Sequence, residues 1–404
     1  MFSVKESVQS CHLPLSVTPS QWSGRVFSLK DHPELREGVK FFLTGCVFSY
    51  EALDQMLQGT DAYSELPAKV SQQVLRQVGH SWKSFFAADK SYQASPHQFL
   101  AKPRLPGYKP KMGGRNLLTY TAQAISQVGL REGLIVPSKT EIQLKTQQRK
   151  VNQVRIVPRL NHYVIEVVYE KDCISLGLDK SNIAGIDVGL DNLAAVTSNT
   201  KGFIPLLING RPLKSINSYY NQKKASLQSS LPPMKHSSRR ILSLTHKRNC
   251  KIDTYLHHAS KGVIDGLVKA NIGTLVIGKN ENWKQEIQLG RVNNQNFVSI
   301  PHARFIDQLK YKGKLVGIDV LLTEESYTSK CSFLDSEPIG KHEVYVGDRI
   351  KRGLFRSAEG TLMNADINGS LNMIRKAFPN AFKADGIQGV VVRPLRVTPY
   401  KVAI

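Results

Sequence analysis

Acid is what this chain lacks most. Its 404 residues carry 32 Asp and Glu against 55 Lys and Arg, a formal net charge of +23. The deficit is concentrated: between Lys201 and Ile252 there are eleven Lys or Arg and no Asp or Glu. Ion pairing within that segment is therefore impossible, and a polyanion is the natural counter-charge. Cysteine is also scarce. Cys11, Cys46, Cys173, Cys250 and Cys331 are scattered and odd in number, which argues against a disulfide scaffold and fits the reduced thiols of a cytoplasmic protein. No apolar run approaches the roughly 20 residues that span a bilayer, and the first thirty residues carry no signal-peptide pattern, so no membrane partner is expected. The length suggests two or three domains.

The few acids stand in telling places. Ile183 to Ile186 is a short apolar run, a buried-strand signal, and Asp187 falls where that strand ends. Strand ends line crevices in α/β sheets. Val188 to Asn192 then turns the chain into the strand-like Leu193 to Val196, giving an antiparallel hairpin. Two further apolar runs follow, Thr274 to Ile277 and Ile318 to Leu322, the second leading directly into Glu324 and Glu325. Asp366 opens a helical pattern through Leu371, Ile374 and Ala377. Taken alone, an Asp after a strand is most often a turn or cap residue. Three acids at the ends of core elements can instead converge on Mg²⁺, which prefers oxygen ligands, and two such ions suit phosphodiester hydrolysis.

The remaining segments divide by pattern. From about 33 to 95 the chain reads as helical: Val70, Val74, Val78 and Trp82 recur every fourth residue, and Lys69, Gln73, Arg76 and Gln77 take another face. Gln and Arg can read base edges in a major groove, although an ordinary solvated face has the same composition. Residues from about 96 to 180 read mostly as β, with Tyr163 to Tyr169 the clearest strand and Met112 to Arg115 a turn able to approach a phosphate. Lys214, Lys223, Lys224, Arg239, Arg240, Lys247 and Arg248 lie along helix-like stretches suited to tracking phosphates. Tyr219 and Tyr220 could stack on bases or serve as core. Past Pro379 the pattern fades into a tail.

The motifs GIDVGLDNLAAV (185–196), YTSK (327–330) and NADINGSLNMI (364–374) resemble the three-part RuvC nuclease of the TnpB (OrfB) family, encoded by bacterial insertion sequences and related to type V CRISPR effectors. Residues 66–86 resemble that family's helical recognition region. Lys102 to Lys109 resembles its basic entry into a β-barrel wedge, which adds Lys109 to the candidate nucleic-acid contacts beside Arg115 of the Met112 to Arg115 turn. The resemblance implies an α/β multidomain protein: a β-rich wedge-like domain (1–32 and 96–180), a helical recognition domain (33–95), a RuvC-like, RNase H-fold nuclease domain (181–378) with a basic helical insertion, and a tail (379–404). It further implies an RNA-guided DNA endonuclease with two Mg²⁺ ions. The expected partners are a guide RNA derived from the transposon end and a target DNA duplex with a short adjacent motif.

Two departures from the family pattern bear on chemistry. The family's second catalytic acid is a Glu just after the strand formed here by Leu275-Val276-Ile277, where this chain has Gly278-Lys279-Asn280. Either the chain is a nuclease-inactive RNA-guided binder acting by occupancy, or the acid has moved to the end of the neighbouring strand. Because Asp187 and Asp366 are retained, relocation is preferred, with Glu325 ahead of Glu324 and with Glu281 and Glu286 behind both. Strand alternation would point only one of Glu324 and Glu325 inward. The second departure is the zinc ribbon. Of its CxxC…CxxC cysteines only Cys331 stands between about 328 and 360, with Leu334, Arg356 and Glu359 at the other positions. A hairpin packed on Phe333, Tyr345 and Phe355 is expected in place of structural zinc. A general single-strand binder would have no use for the acids. A strand-joining transposase would need a His-x-His motif paired with a catalytic Tyr.

Overall fold

The computed structural model describes residues 4–7, 11–12, 50–107, 116–159, 161–279, 300–382 and 393–399. Lys109, Arg115, Glu281 and Glu286, and most of the wedge-like segment 1–32, lie outside the described residues. The chain forms two compact units, one ending at Lys171 and one beginning at Asp172. The helical stretch and the β-rich stretch that follows it share the first unit.

The first unit opens with strands β1 (Val4–Ser7) and β2 (Cys11–His12) and helices α1 (Tyr50–Leu57), α2 (Asp61–Ser64) and α3 (Ala68–Ala94). It continues with β3 (Leu118–Thr121), α4 (Gln127–Arg131), β4 (Leu134–Ile135), β5 (Leu144–Lys145), β6 (Gln153–Pro158) and β7 (Tyr163–Lys171). β1, β7, β6 and β3 pair antiparallel in that order, and β2 also pairs with β7. Val154 and Ile156, separated by Arg155, show the alternation of a sheet buried on one face, and they pack with Tyr120, Ile165 and Val70. The expected valine stripe of α3 needs correction: only Val70 is fully buried, while Val78 is 43% exposed. A spacing of four overruns the helical turn by about 40° per step, so each residue after Val70 rotates farther from the core.

The second unit is built on a six-stranded sheet of β8 (Asp179–Val188), β9 (Asn192–Ser198), β10 (Leu206–Asn209), β11 (Ile272–Gly278), β12 (Asp319–Thr323) and a last strand near the C-terminus. Between β10 and β11 run helices α5 (Arg211–Ser229) and α6 (Arg239–Lys269), and α7 (His302–Leu315) joins β11 to β12. Strands β13 (Asp348–Lys351), β14 (Leu354–Arg356) and β15 (Leu362–Asn364) form a separate small sheet, followed by α8 (Ala365–Ala377) and β16 (Leu395–Val397). The sheet order is β12-β11-β8-β9-β10-β16. β8, β11 and β12 are mutually parallel, β9 is antiparallel to both neighbours, and β16 is parallel to β10. The tail reading is thereby corrected: Leu395–Val397 completes the sheet edge, with Val397 packed on the main core.

The two faces of this sheet follow from period-two alternation. Ala184, Ile186 and Val188 pack with Leu275 and Ile277 against α6 and α7. Ile183 and Val276 face the opposite way, onto Met373 and Ile374 of α8. Gly185 and Asp187 on β8, and Gly278 on β11, therefore belong to the α8 face. Contact there is close: a Cβ on Gly185 would stand 2.4 Å from the Ser370 carbonyl oxygen. The Ser370 hydroxyl donates to the Gly185 carbonyl at 2.8 Å. Glycine at 185 is what lets α8, with Asp366 in its first turn, lie this close to β8, which carries Asp187 next to its last residue.

Candidate active site

Asp187 reaches the α8 face at the end of β8. A Cβ on Gly369 would be 2.8 Å from its Oδ2, so the helix backbone itself borders the carboxylate. Asp366 occupies the first turn of α8, where the Asn364 side chain caps the helix by accepting from the Asp366 and Ile367 amides. Asn192, buried at the start of β9, donates from Nδ2 to Asp366 Oδ2 at 2.8 Å. The β8–β9 hairpin and the cap of α8 thus bring the two aspartates together.

Glu325 arrives from β12. The register pairs Ile277 with Ile186, and Gly278 with Thr323, so the end of β11 lies between Asp187 and the segment that carries Glu325. A Cβ on Gly278 would stand 2.7 Å from Glu325 Cγ and 2.5 Å from Met373 Cε. Glu325 therefore fills the space into which a side chain at 278 would project. Its neighbour Glu324 has a different setting. Strand β12 stops at Thr323, so both glutamates lie beyond the pleat, just before the turn at 326–330. Glu324 is exposed, accepts from the Ser326 hydroxyl and lies 3.5 Å from Lys376 Nζ.

The turn is pinned by residues that sequence reasoning passed over. Asn368 and Asn372, one helical turn apart on α8 and both buried, hold it through main-chain contacts. Asn368 accepts from the Phe333 amide and donates to the Cys331 carbonyl, and Asn372 donates to the Thr328 and Cys331 carbonyls. The Thr328 amide and hydroxyl return to the Glu325 carbonyl. Their i, i+4 spacing, which puts both amides on one face of α8, was the available signal.

Electrostatics mark the three acids as one cluster. Desolvation raises Asp187 well above the usual carboxylate range although part of its surface meets solvent. The charges of Asp366 and Glu325 push it further, and Arg349 opposes them. Burial pushes Glu325 up to about 7 from an ordinary value near 4.5. Glu324 moves down, held ionised by the Ser326 hydrogen bond and the Lys376 charge.

Among the described residues no three His, Cys, Asp or Glu side chains grip a single point as they stand. Magnesium does not require that, since it is commonly held by one or two carboxylates with water and substrate oxygens completing the octahedron. The donor set fits such an ion. It is all oxygen, it concentrates negative charge where solvent is restricted, and beside it the buried Asn192 Oδ1 has no hydrogen-bond partner among the described residues.

The basic segment forms the helical pair α5 and α6. Lys223, Arg239, Arg240 and Lys247 are exposed. Lys214 pairs with Asp191 at 2.7 Å, and Arg248 donates to Asn217 while packing over the Tyr220 ring. Lys224 also lies over that ring, and the Tyr220 hydroxyl meets Thr245 at 3.1 Å, so Tyr220 serves the helix pair while Tyr219 is 58% exposed. On α3, Arg76 stacks over Tyr50 and Gln77 donates to the Leu117 carbonyl. Lys69 and Gln73 have no such engagement among the described residues.

Where the ribbon cysteines would be, carboxylates tie the chain. Asp335 accepts from the Ala358 amide, and buried Glu337 accepts from the amides of Ser332 and Val346. Cys331, Phe333 and Phe355 are buried. Among the described residues no helix is long and apolar enough to cross a membrane.

Two family models match the stretches of chain that carry these acids. Residues 166–284 match the OrfB family of IS605, described as a probable transposase, and residues 302–373 match the Cas12f1-like TNB domain. A TnpB-like protein of Acidianus two-tailed virus is 24% identical over 221 residues, 52% of this chain and 45% of that protein. The chain thus matches about half the length of that curated relative. Among solved structures, a Cas12f1–sgRNA–target DNA complex covers 55% of this chain and 45% of its own at 18% identity, with a TM-score of 0.43. A CRISPR-Cas12f ternary complex covers 85% and 78% at 15% identity, with a TM-score of 0.38.

Proposed function

We propose that this chain, which belongs to the TnpB (OrfB) family, is an RNA-guided DNA endonuclease that hydrolyses phosphodiester bonds with divalent metal, using Glu325 in place of the acid absent at 278. The observation that carries the reading is the occupation of the Gly278 side-chain space by Glu325, next to Asp187 and Asp366. An inactive binder would not need a third carboxylate kept in a setting that makes its ionisation costly.

In this reading Asp187, Glu325 and Asp366 would hold Mg²⁺, with Asn192 Oδ1 a further oxygen at the rim. When bound, the metal supplies activated water and stabilises the leaving oxygen. The rest falls to the chain itself. Asn192 orients Asp366, the Asn368–Asn372 pair fixes the turn that presents Glu325, and Gly185 and Gly369 allow α8 to approach Asp187. Glu324, turned outward and paired with Lys376, is assigned no metal. The cations of α5 and α6 track the guide RNA or heteroduplex, and Lys69 and Gln73 on α3 are the candidates to read a short motif flanking the target. The guide derives from the transposon end.

The test is cleavage of a matched duplex by the chain loaded with its guide, with and without Mg²⁺. Guide-dependent, Mg²⁺-dependent cutting is expected. Tight guided binding without any cutting would identify an occupancy protein instead.

A further inference from the structure

Beside the acidic centre lies a cavity of about 440 Å³ whose lining includes Arg211, Arg349, Arg352 and Arg396 together with Asp366 and Asn192. The arginines come from three separate places: the start of α5, the β13–β14 hairpin, and β16 at the sheet edge. Among the described residues, Arg211, Arg349 and Arg396 have no carboxylate within ion-pairing distance. Arg352 lies 3.1 Å from Asp191, and that same carboxylate accepts from Lys214 at 2.7 Å. Four cations thus converge at the edge of a three-carboxylate cluster, and one internal acid occupies part of the anion-binding potential.

We infer that this cavity binds one phosphodiester group of a single DNA strand next to the group at the acidic centre, with Arg349 and Arg396 as its principal ligands and Asp191 as an internal competitor. The identity of the strand rests on the nuclease reading above; the anion site does not. Carboxylates repel a polyanion, so a strand that enters them needs adjacent cations to hold it. Arginine is the suitable residue because its planar fork meets phosphate oxygens in pairs. The volume accepts a nucleotide-sized group and is too confined for a duplex. Asp191, gripping Arg352 and Lys214, releases them when a phosphate takes its place.

The experiment measures binding of a short oligodeoxythymidylate to the full chain by fluorescence anisotropy over a salt series, with metal withheld so that no cutting occurs. The double variant Arg349→Gln, Arg396→Gln should weaken binding about tenfold or more and flatten the slope of log affinity on log salt by roughly 0.7 per lost contact. Asp191→Asn should bind severalfold more tightly, a gain that misfolding cannot imitate. Unchanged affinity and slope in the double variant, or weaker binding by Asp191→Asn, would overturn the proposal. Preference for oligouridylate over the DNA strand would overturn the DNA assignment. If the wild-type chain fails to cut DNA yet these shifts appear, the nuclease reading fails and the anion site stands. If it cuts DNA and the shifts are absent, the nuclease stands and the anion site fails.

Discussion

Glu325 Cγ lies 2.7 Å from the point at which a Cβ on Gly278 would stand. Two residues 47 positions apart thus share one side-chain volume, at the end of adjacent parallel strands whose register joins Gly278 to Thr323. A glycine is needed there because Met373 and Glu325 already fill the space. Gly278→Ala should therefore lower stability by about 1 to 3 kcal/mol, the usual cost of overpacking, and should reduce cleavage by displacing Glu325. Chemical denaturation and a cleavage time course would check both effects. An Ala variant as stable and active as wild type would contradict the shared volume.

Asp187→Ala and Asp366→Ala should each abolish cleavage, by several orders of magnitude, while guide RNA and target DNA still bind. Loss of one essential electrostatic group at a reacting phosphate has effects of that scale. Single-turnover cleavage beside a binding titration separates the two properties, and near wild-type cutting by either variant would remove that residue from the account.

The pH dependence follows from the raised carboxyls. Glu325 is pushed up to about 7 from near 4.5 by burial, so the metal-free folded chain retains its proton between those values while the unfolded chain has lost it. The folded state binds more protons there, and stability must fall as pH rises through that window. Thermal unfolding without metal should show this decline, and Glu325→Gln should flatten it. Metal binding needs the ionised form, so Mg²⁺ should protect more at pH 8 than at pH 6. A metal-free stability that climbs across the window would be the wrong sign.

Neutralising Lys223, Lys224, Arg239 and Arg240 together should weaken guide or heteroduplex binding and flatten its salt dependence by roughly 0.7 to 0.9 per lost phosphate contact. Lys223, Arg239 and Arg240 are exposed, so folding should survive the change. An unaltered slope would make them ordinary solvated surface.

Much of this arrangement was legible along the chain because it depends on local pattern. The strand that carries Asp187 near its end, the hairpin after it and the helix capped just before Asp366 each carry their own periodicity and turn residues. Glu325 was harder to place, since its orientation comes from a turn pinned by Asn368 and Asn372, not from strand alternation. The arginine cavity was not legible at all. Arg349, Arg352 and Arg396 become neighbours of Asp366 only through the packing of a small hairpin and the pairing of β16 with β10. The overread stripe on α3 failed because a four-residue repeat drifts around a helix.

The central claim is that the acid absent at 278 is supplied from 325, and the most direct measurement compares Mg²⁺-dependent cleavage by three guide-loaded proteins: wild type, Glu325→Ala, and the double variant Glu325→Ala, Gly278→Glu. Removal of Glu325 should cost as much activity as removal of Asp187. Returning a glutamate at 278, with the space at 325 now vacated, should recover part of that loss. Undiminished cleavage by Glu325→Ala would contradict the relocation outright.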